Sequence, residues 1–326
     1  MNASTAITTT STTTSTSNEL GPVLEDSVRR YVRASVSEAT LDAYQADWAC
    51  FTTWCDATGH AALPATSETV ALFIAARADA GDRPVTVERR LAAIAKAHKV
   101  AGVDSPTRAT VVRETMKGIR RELGTAAKKK DALVTGRLLA LLAVTGDDLR
   151  GIRDRAVLSL GFVGGLRRSE IAALELEDIR FSDAGALVTI RRSKTDQEGA
   201  GRVVEIAATG SETCPVTALR AWIAAAGIEA GPMFREIDRG GHHLEEGRMS
   251  DRAVARTVQR LAKAAGVSGD FGGHSLRAGF ATSAVGAGVA RELVMRQGGW
   301  KSENVMRGYV RAAETFRLNY SAALGL

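Results

Sequence analysis

Apolar residues recur at helical spacing through the first third of the chain. Leu41, Tyr44, Trp48 and Phe51 follow one another at intervals of three and four residues behind Ser37, a residue type that caps helix starts. The same spacing predicts three further helices, which carry Val70, Phe73 and Ile74, then Val87, Leu91, Ile94 and His98 behind Pro84, and then Val111, Met116 and Ile119 between about Thr107 and Leu123. Four helices with no strand between them predict a small helical bundle.

The pattern becomes mixed beyond residue 131. Leu133, Leu138 and Leu141 restart a helical period, whereas Ala186–Ile190 and Arg202–Ile206 are strand-like stretches on either side of a polar, glycine-containing turn. We therefore expect a mainly α fold, in which an N-terminal helical bundle is followed by a mixed α/β domain with a small antiparallel sheet.

Shifts in composition mark the predicted boundaries. Residues 1–18 contain 12 Ser and Thr and no apolar period, which is typical of a disordered tail. The segment 124–131 contains three consecutive lysines and no large apolar side chain, which is typical of a linker. These features predict a disordered tail over residues 1–22, a helical domain over 23–124, a basic linker over 125–131 and a second domain over 132–326.

The composition excludes several classes of protein. A chain of 326 residues with 45% hydrophobic and 25% charged residues is typical of a globular protein with room for two cores. It contains no apolar run long enough for a membrane span and no basic-then-apolar start typical of a secretory signal. Cys50, Cys55 and Cys214 are too few and too unevenly spaced for a disulfide framework or a zinc site, so we expect reduced thiols in a cytosolic protein.

Positive charge is concentrated in one segment of the chain. Residues 81–130 hold 13 Lys and Arg against 5 Asp and Glu, whereas residues 1–80 hold 4 against 9. Such a concentration suits a surface that follows DNA. A solvated helix face beside a charged linker would give the same counts, so charge alone leaves both interpretations open.

Two segments of the second domain carry candidate chemistry. Arg167 shares a predicted helical stripe with Ile171 and Leu174, so it should point inward, where Glu170 is within reach as its partner. A buried Arg–Glu pair that only joins two helices would give the same signal. Lys194 enters the flexible turn, which can carry an ammonium over a bound phosphate, although an exposed turn lysine can also be merely solubilising.

A second set of candidates lies near the C-terminus. His274 and Arg277 are three residues apart at a predicted helix start, so both can face one ligand. Trp300 carries one N–H donor on a large apolar body, as would an ordinary core tryptophan. Tyr309 follows nine residues later, and two arginines that neutralise a phosphate, with a nearby proton acceptor, would make attack by its hydroxyl feasible.

In their order and spacing, these motifs resemble those of the tyrosine recombinase (integrase) family, and most of all its Cre-like, two-domain members. The resemblance runs from about residue 28 to the C-terminus, and its segments are Gly165-Leu166-Arg167-Arg168-Ser169-Glu170, Arg192-Ser193-Lys194-Thr195, His274-Ser275-Leu276-Arg277, Trp300 and Tyr309. It implies a core-binding, SAM-like bundle followed by a catalytic domain that uses no metal and no nucleotide cofactor.

The resemblance also implies a role for each residue. Tyr309 would be the nucleophile that forms a 3′-phosphotyrosine, and Lys194 would protonate the departing 5′ oxygen. Tyr320, the other tyrosine of this domain, matches no motif. The remaining positions form the phosphate clamp and its support, namely Arg167 and Arg277 as clamps, Glu170 as the supporting acid, His274 as general acid and base, and Trp300 where most members carry histidine.

Two surfaces are predicted to contact DNA. A helix capped by Ser250 and running to about Ala265 carries a polar stripe at helical spacing, formed by Arg252, Arg256, Gln259 and Lys263. In the first domain the corresponding candidates are Thr86, Arg89 and Arg90. A charged surface helix without a DNA role would show the same stripe, and the resemblance favours the DNA interpretation.

The resemblance finally implies an assembly. Segment 316–326 has apolar side chains but little sequence in which to bury them, and in Cre-like recombinases the last helix docks on a neighbouring subunit. We therefore expect a homotetramer on two roughly palindromic sites in double-stranded DNA, with no membrane partner, in a bacterial cytoplasm or on a plasmid or phage. Two alternatives remain open: a type IB topoisomerase-like DNA relaxer, and a catalytically idle DNA-binding protein. His242 and His243 beside two glutamates match no metal-ligand spacing.

Overall fold

The computed structural model of the chain describes residues 30–31, 35–126, 130–194, 196 and 198–314. The predicted tail over residues 1–22 and the predicted docking segment 316–326 lie outside these ranges. The chain divides into two compact units, Met1–Ala127 and Lys128–Leu326, and the division falls within the segment predicted as a linker.

The first unit is built from long helices, as the apolar spacing predicted. They are α1 (Glu38–Thr58), α2 (Ser67–Asp79), α3 (Pro84–Val100) and α4 (Thr110–Leu123). Their buried faces meet around Phe51, Phe73 and Ile94, and the rings of Phe51 and Phe73 lie edge to face with centroids 4.9 Å apart. Ser37 is the N-cap residue of α1, and Pro84 is the first residue of α3.

His98 lies on the inner face of α3, as predicted, and is fully buried. Its Nε2 accepts the backbone N–H of Ala65 at 3.0 Å, so its Nδ1–H donates to the carbonyl of Ile94 at 2.9 Å. Both ring nitrogens are therefore paired, and the ring joins α3 to the segment that precedes α2.

The inner face of α4 differs from the prediction by one residue. A short 3₁₀ turn, Pro106–Arg108, precedes the helix, and Val112, Met116 and Ile119 are buried at helical spacing. Val111, which the sequence placed in this stripe, is 42% exposed. The prediction was wrong at Val111 because two neighbouring valines point about 100° apart on a helix, and only tertiary packing decides which of them faces inward.

The second unit is mixed, as predicted. Its helices are α5 (Thr135–Ala143), α6 (Leu149–Val163), α7 (Arg168–Ala173), α8 (Pro215–Ala226), α9 (Asp251–Ala264), α10 (Gly273–Gly286), α11 (Arg291–Gly298) and α12 (Glu303–Glu314). Helix α6 is buried along most of its length and packs against α8 and α10. The core of this unit therefore lies around one central helix.

Two small antiparallel sheets complete the unit. The predicted hairpin is confirmed as β2 (Gly185–Ile190) and β3 (Arg202–Ala207), with Ile190 opposite Arg202. The other strands are β1 (Ile179–Phe181), which pairs with β2, and the hairpin β4 (Arg235–Ile237) with β5 (Leu244–Arg248). Strands of three residues are too short for an alternating pattern, so the sequence did not predict β1 and β4.

The remaining sequence-level expectations concern membranes and thiols. Among the residues that the structure describes, no helix has both the length and the hydrophobicity to cross a bilayer. Cys55 and Cys214 are buried, Cys50 is partly buried, and all three are free thiols.

Candidate active site

The start of α7 positions the first arginine. Arg167 has extended backbone angles (φ −76°, ψ 149°) and is the N-cap residue, since Glu170 Oε2 accepts its backbone N–H at 2.9 Å. The prediction that Arg167 belongs to a helical stripe with Ile171 was wrong, because this bond starts the helix at Arg168. The side chain nevertheless points inward and is only 15% exposed.

Glu170 is the buried carboxylate of the site. Its Oε1 accepts Nη1 of Arg167 at 2.6 Å, and its Oε2 accepts Nη2 of Arg202 at 3.0 Å. Arg202 begins β3 and was not among the predicted site residues. Its position two residues before the buried Val204 was the available signal, because alternate residues of a strand share a face.

Arg277 is the most deeply buried charge of the site, with a relative exposure of 1%. Its Nη1 donates to the carbonyl oxygens of Gly165, at 2.5 Å, and Gly298. Its Nη2 is buried and has no hydrogen-bond partner within the described part of the chain. Burial, followed by the charge of Arg167, lowers the pKa of Arg277 to about 9. The guanidinium is therefore held by the backbone and keeps one donor for a ligand.

Trp300 packs between the arginine and the tyrosine. The Arg277 guanidinium carbon lies 3.8 Å from the centroid of the Trp300 ring, and the Tyr309 ring centroid lies 5.6 Å from it. A Cβ at Gly298 would lie 2.0 Å from Cζ3 of the indole, so only glycine leaves room for the ring there. Trp300 is 7% exposed, so it is a core residue, and its role toward a phosphate stays a prediction.

Tyr309 on α12 meets His274 on α10. The Tyr309 hydroxyl lies 2.5 Å from His274 Nε2, and the backbone carbonyl of Tyr309 accepts the Thr282 hydroxyl at 2.8 Å. Desolvation of the His274 ring, followed by the charge of Arg277, lowers the pKa of the imidazole below its ordinary value. A neutral imidazole in contact with a phenol is arranged to accept its proton.

Lys194 lies in the turn between β2 and β3 and is exposed. Its charge contributes to the lowered pKa of His274, so it lies on the same side of the unit as the site. Thr195, the next residue of its motif, lies outside the described residues. Direct contacts thus join His274, Tyr309, Trp300 and Arg277 into one group and Arg167 to Glu170 in another. The charges of Arg167 and Lys194 reach the first group and lower the pKa of His274.

The predicted base-reading helix has the expected two faces. In α9, Val254, Val258 and Leu261 are buried, and Ser250 caps the helix by accepting the N–H of Ala253 at 3.2 Å. The predicted polar stripe is exposed, namely Arg252, Arg256, Gln259 and Lys263. The amide of Gln259 also donates to the carbonyl of Phe271 at 3.1 Å. The stripe is confirmed as a surface, and its contact with DNA stays a prediction.

The candidates of the first unit lie in the first two turns of α3. Thr86 is partly buried, and Arg89 holds Asp47 through two hydrogen bonds of 2.7 and 3.1 Å. Arg90 pairs with both Asp47 and Asp82, and only 13% of its side chain is exposed. Both arginines therefore have a structural role, and their contact with DNA stays a prediction.

The histidines of the β4–β5 connection form no metal-binding group. Within the described ranges, no cluster of three or more His, Cys, Asp or Glu side chains is arranged to hold a metal ion. Instead, the carboxylate of Asp238 accepts the backbone N–H groups of His242 and His243 at 2.8 and 2.9 Å. These bonds lower the pKa of Asp238 to about 2 and shape the turn.

Comparison with known proteins agrees with this geometry. Residues 133–315 match the phage integrase family. The chain is 37% identical over 297 residues to an integrase/recombinase xerD homolog of Selenomonas ruminantium, covering 89% of this chain and 86% of that protein. It is 28% identical over 317 residues to the recombinase Cre of Escherichia phage P1, covering 91% and 90%.

Solved structures share the fold. A lambda integrase fragment, residues 75–356, in a dimer bound to a COC′ core site matches with a TM-score of 0.62 at 17% identity, over 88% of this chain and 93% of that one. The family match covers more than half of the chain, and the bacterial relative is well above 30% identical over most of it. The chain therefore belongs to the phage integrase family and is a tyrosine recombinase.

Proposed function

We propose that this recombinase cuts and rejoins DNA strands through a covalent 3′-phosphotyrosyl intermediate on Tyr309. The observation that carries the proposal is the 2.5 Å contact between the Tyr309 hydroxyl and His274 Nε2, beside the Arg277–Trp300 stack. No other described tyrosine hydroxyl has a hydrogen bond to a histidine among the described residues. The tyrosine, a base and a cationic clamp therefore meet at one point.

The cleavage step follows from these contacts. Neutral His274 accepts the proton of Tyr309, and the phenolate oxygen forms a bond to phosphorus while the bond from phosphorus to the 5′ oxygen breaks. Lys194 donates a proton to the departing 5′ oxygen, so a 5′ hydroxyl leaves. Because the phosphotyrosine conserves the phosphodiester energy, a 5′ hydroxyl from a partner duplex can reverse the same steps and reseal the strand.

The arginines supply the charge that this step needs. Negative charge builds up on the phosphate oxygens in the transition state, and fixed donors stabilise it most when water is excluded. Arg277 has a buried, unpaired Nη2, and Arg167 is held at its side by Glu170. We assign both arginines to the phosphate oxygens, with Trp300 packing the clamp and Glu170 orienting it.

DNA binding is assigned to the two polar surfaces. The exposed stripe of α9 is proposed to enter a major groove, because four polar side chains at helical spacing can reach base edges and phosphates along one groove. Thr86, Arg89 and Arg90 are proposed to contact DNA from α3. Most of these contacts should be to phosphates, which sets affinity rather than sequence preference.

The proposed assembly is a homotetramer on two roughly palindromic DNA sites in the cytoplasm. A lambda integrase tetramer bound to a Holliday junction matches this chain with a TM-score of 0.60 at 17% identity, over 88% of this chain and 76% of that one. Segment 316–326 is proposed to dock on the neighbouring subunit. If a chain that ends at residue 315 still brings two sites together and recombines them, this assembly is wrong.

Covalent capture tests the chemistry. Nicked duplexes tiled across the DNA that flanks this gene are incubated with the wild-type chain, with Tyr309→Phe and with Tyr320→Phe, and SDS-stable protein–DNA bands are scored. We expect an adduct with the wild type and with the Tyr320→Phe control, and none with Tyr309→Phe, which should still bind DNA.

Other outcomes separate the alternatives. An adduct that survives Tyr309→Phe overturns the assignment of the nucleophile. Binding without an adduct from any of the three proteins favours an idle DNA-binding protein. Strand breakage and relaxation that do not depend on protein concentration, without exchange between duplexes, favour a topoisomerase-like relaxer acting alone.

A further inference from the structure

We propose that Arg202 is a positioning residue of the recombinase, which fixes Arg167 through the shared carboxylate of Glu170. In doing so it ties the base of the turn that carries Lys194 to the catalytic centre. The inference deepens the proposed function and rests on it. Arg202 itself is assigned no contact with DNA.

The carboxylate is divided between two arginines. Glu170 is 3% exposed, and its Oε1 accepts Arg167 Nη1 while its Oε2 accepts Arg202 Nη2 and the backbone N–H of Arg167. Arginine and carboxylate groups commonly pair through two parallel hydrogen bonds. Arg202 occupies the oxygen that such a pair would need, so the side chain of Arg167 holds Glu170 through one nitrogen.

Arg202 also keeps the site cationic. One buried carboxylate faces Arg167 and Arg202, and Arg277 lies close enough for both of these charges to lower its pKa. Burial lowers the pKa of Arg202 itself, whereas the charge of Glu170 acts in the opposite direction. The single negative charge of Glu170 is therefore shared between Arg167 and Arg202, and net positive charge remains for the phosphate.

The location of Arg202 connects the turn between β2 and β3 to the phosphate clamp. Arg202 is the first residue of β3 and pairs across the ladder with Ile190, the last residue before the turn that carries Lys194. Its Nε would lie 2.7 Å from a Cβ at Gly299, so the guanidinium rests on the turn that precedes Trp300. A cavity of about 260 Å³ lies between that turn and the hairpin, and Arg202 lines it.

Stability alone does not account for this side chain. Nε and Nη1 of Arg202 are buried and have no hydrogen-bond partner among the described residues. Unpaired buried donors destabilise a fold, and a buried ion pair often contributes little to it. The strand has other anchors, since it pairs with β2 along its length and its Glu205 carbonyl accepts Gln297 Nε2 at 2.9 Å. Arg202→Gln should therefore still fold.

The test measures catalysis and binding separately. Arg202→Gln, Arg202→Lys, Glu170→Gln and the double variant are compared with the wild type on a nicked flanking duplex that the wild type cleaves. The matched control is Arg191→Gln, since Arg191 directly follows the neighbouring strand β2 and pairs with the buried Asp178 at 2.6 Å. Adduct formation at saturating protein, DNA affinity and melting temperature are recorded for each.

We expect Arg202→Gln to slow adduct formation roughly 100-fold without changing DNA affinity. A loss of this size is expected when a group at the reacting centre is displaced from its working position. Arg202→Lys should recover part of the rate because its ammonium can still donate to Glu170. In the Glu170→Gln background the loss of Arg202 should add little, since Arg202 acts through that carboxylate. The Arg191→Gln control should react at the wild-type rate.

Three results would overturn the inference. They are a wild-type rate for Arg202→Gln, full additivity with Glu170→Gln, and a loss of DNA affinity at an unchanged rate. The third would make Arg202 a DNA contact. Failure of the proposed function is distinguishable, because the wild type would then form no adduct on any duplex and the inference would fall with it.

Discussion

Asp47 in the N-terminal unit and Glu170 in the catalytic unit are both buried between two arginines, yet the charges around these two carboxylates are balanced differently. In the N-terminal unit, Asp47 is 2% exposed and pairs with Arg89 and Arg90. Arg90 also pairs with Asp82, which in turn pairs with Arg77 at 2.8 Å. Arginines and aspartates alternate, and each of these arginines donates to a carboxylate.

At the active site, Glu170 is one buried carboxylate beside several cations. Glu170 pairs with Arg167 and Arg202, whereas Arg277 is held by backbone carbonyls and donates to no carboxylate among the described residues. Lys194 lies close enough for its charge to act on the same site, where it contributes with the arginines to the lowered pKa of His274. The result is an excess of positive charge at a buried site.

The difference separates two uses of the same chemistry. The N-terminal network, with three arginines and two aspartates, is closer to charge balance and fixes helices against one another. A network with excess positive charge lowers the stability of the free protein. A bound anion restores that stability, and the more highly charged transition state of phosphoryl transfer restores the most. We infer that Asp47 serves the packing of its unit, whereas Glu170 serves catalysis.

The largest effect is expected from the arginine that has no carboxylate. Arg277→Lys removes the planar guanidinium, which holds two backbone carbonyls and keeps one donor for the phosphate. Adduct formation should therefore fall about 1,000-fold or more. DNA affinity should change far less. Single-turnover cleavage at saturating protein measures the rate.

The matched control is Arg153→Lys. Arg153 is also buried, at 6%, but its guanidinium is paired with Asp154 at 2.9 Å. This variant should lose stability while its folded fraction cleaves at close to the wild-type rate. Equal losses of rate in the two variants would mean that any buried arginine of this unit matters, and the charge comparison would fail.

An intermediate effect is expected from neutralising the two carboxylates. Asp47→Asn should lower the free energy of unfolding by about 1–3 kcal/mol, because buried donors of Arg90 lose a partner, and should leave the rate of bound protein unchanged. Glu170→Gln should also destabilise, but in addition slow cleavage by about 10–100-fold.

Inorganic phosphate sharpens this contrast. Glu170→Gln increases the excess of positive charge at the site, so phosphate should raise the melting temperature of this variant more than that of the wild type. For Asp47→Asn, the rise caused by phosphate should be no larger than for the wild type. Thermal melts with and without phosphate measure the difference. The same response in both variants would show that the two networks do not differ in charge balance.

The smallest effect is expected from pH. Burial and neighbouring cations lower the pKa of His274, and the neutral ring is the proton acceptor. Cleavage should therefore stay constant through neutral pH and decline only below the ordinary imidazole pKa of about 6.5, approaching tenfold per pH unit. Single-turnover rates across pH measure this limb, and a decline that begins above pH 7 would contradict the assignment.

Periodicity alone was sufficient for much of the fold. Helices α1 to α4, the hairpin of β2 and β3 and the two faces of α9 were predicted because each depends on spacing within one segment. The pairing of His274 with Arg277 on one helix start was accessible for the same reason, since residues three apart share a face. The motif order likewise identified the family before any distance was known.

Other features involve residues that are distant in sequence. Arg202 reaches Glu170 across 32 positions, and Arg89 reaches Asp47 across 42. Strand register and helix packing decide which charged side chain pairs with a buried carboxylate. The spacing of residues within one element predicts neither. The same holds for Gly298, whose missing side chain leaves room for the Trp300 ring.

The sequence by itself determined helices α1 to α4, the β2–β3 hairpin, the two faces of α9 and the identity of the chemical groups. Only the tertiary structure decided that Arg167 caps α7 rather than lying within it, that Val112 and not Val111 faces the core, and that Arg202 shares Glu170. The physical reason is common to all three. Local spacing sets directions within an element, whereas the balance of buried charge is set by which elements pack together.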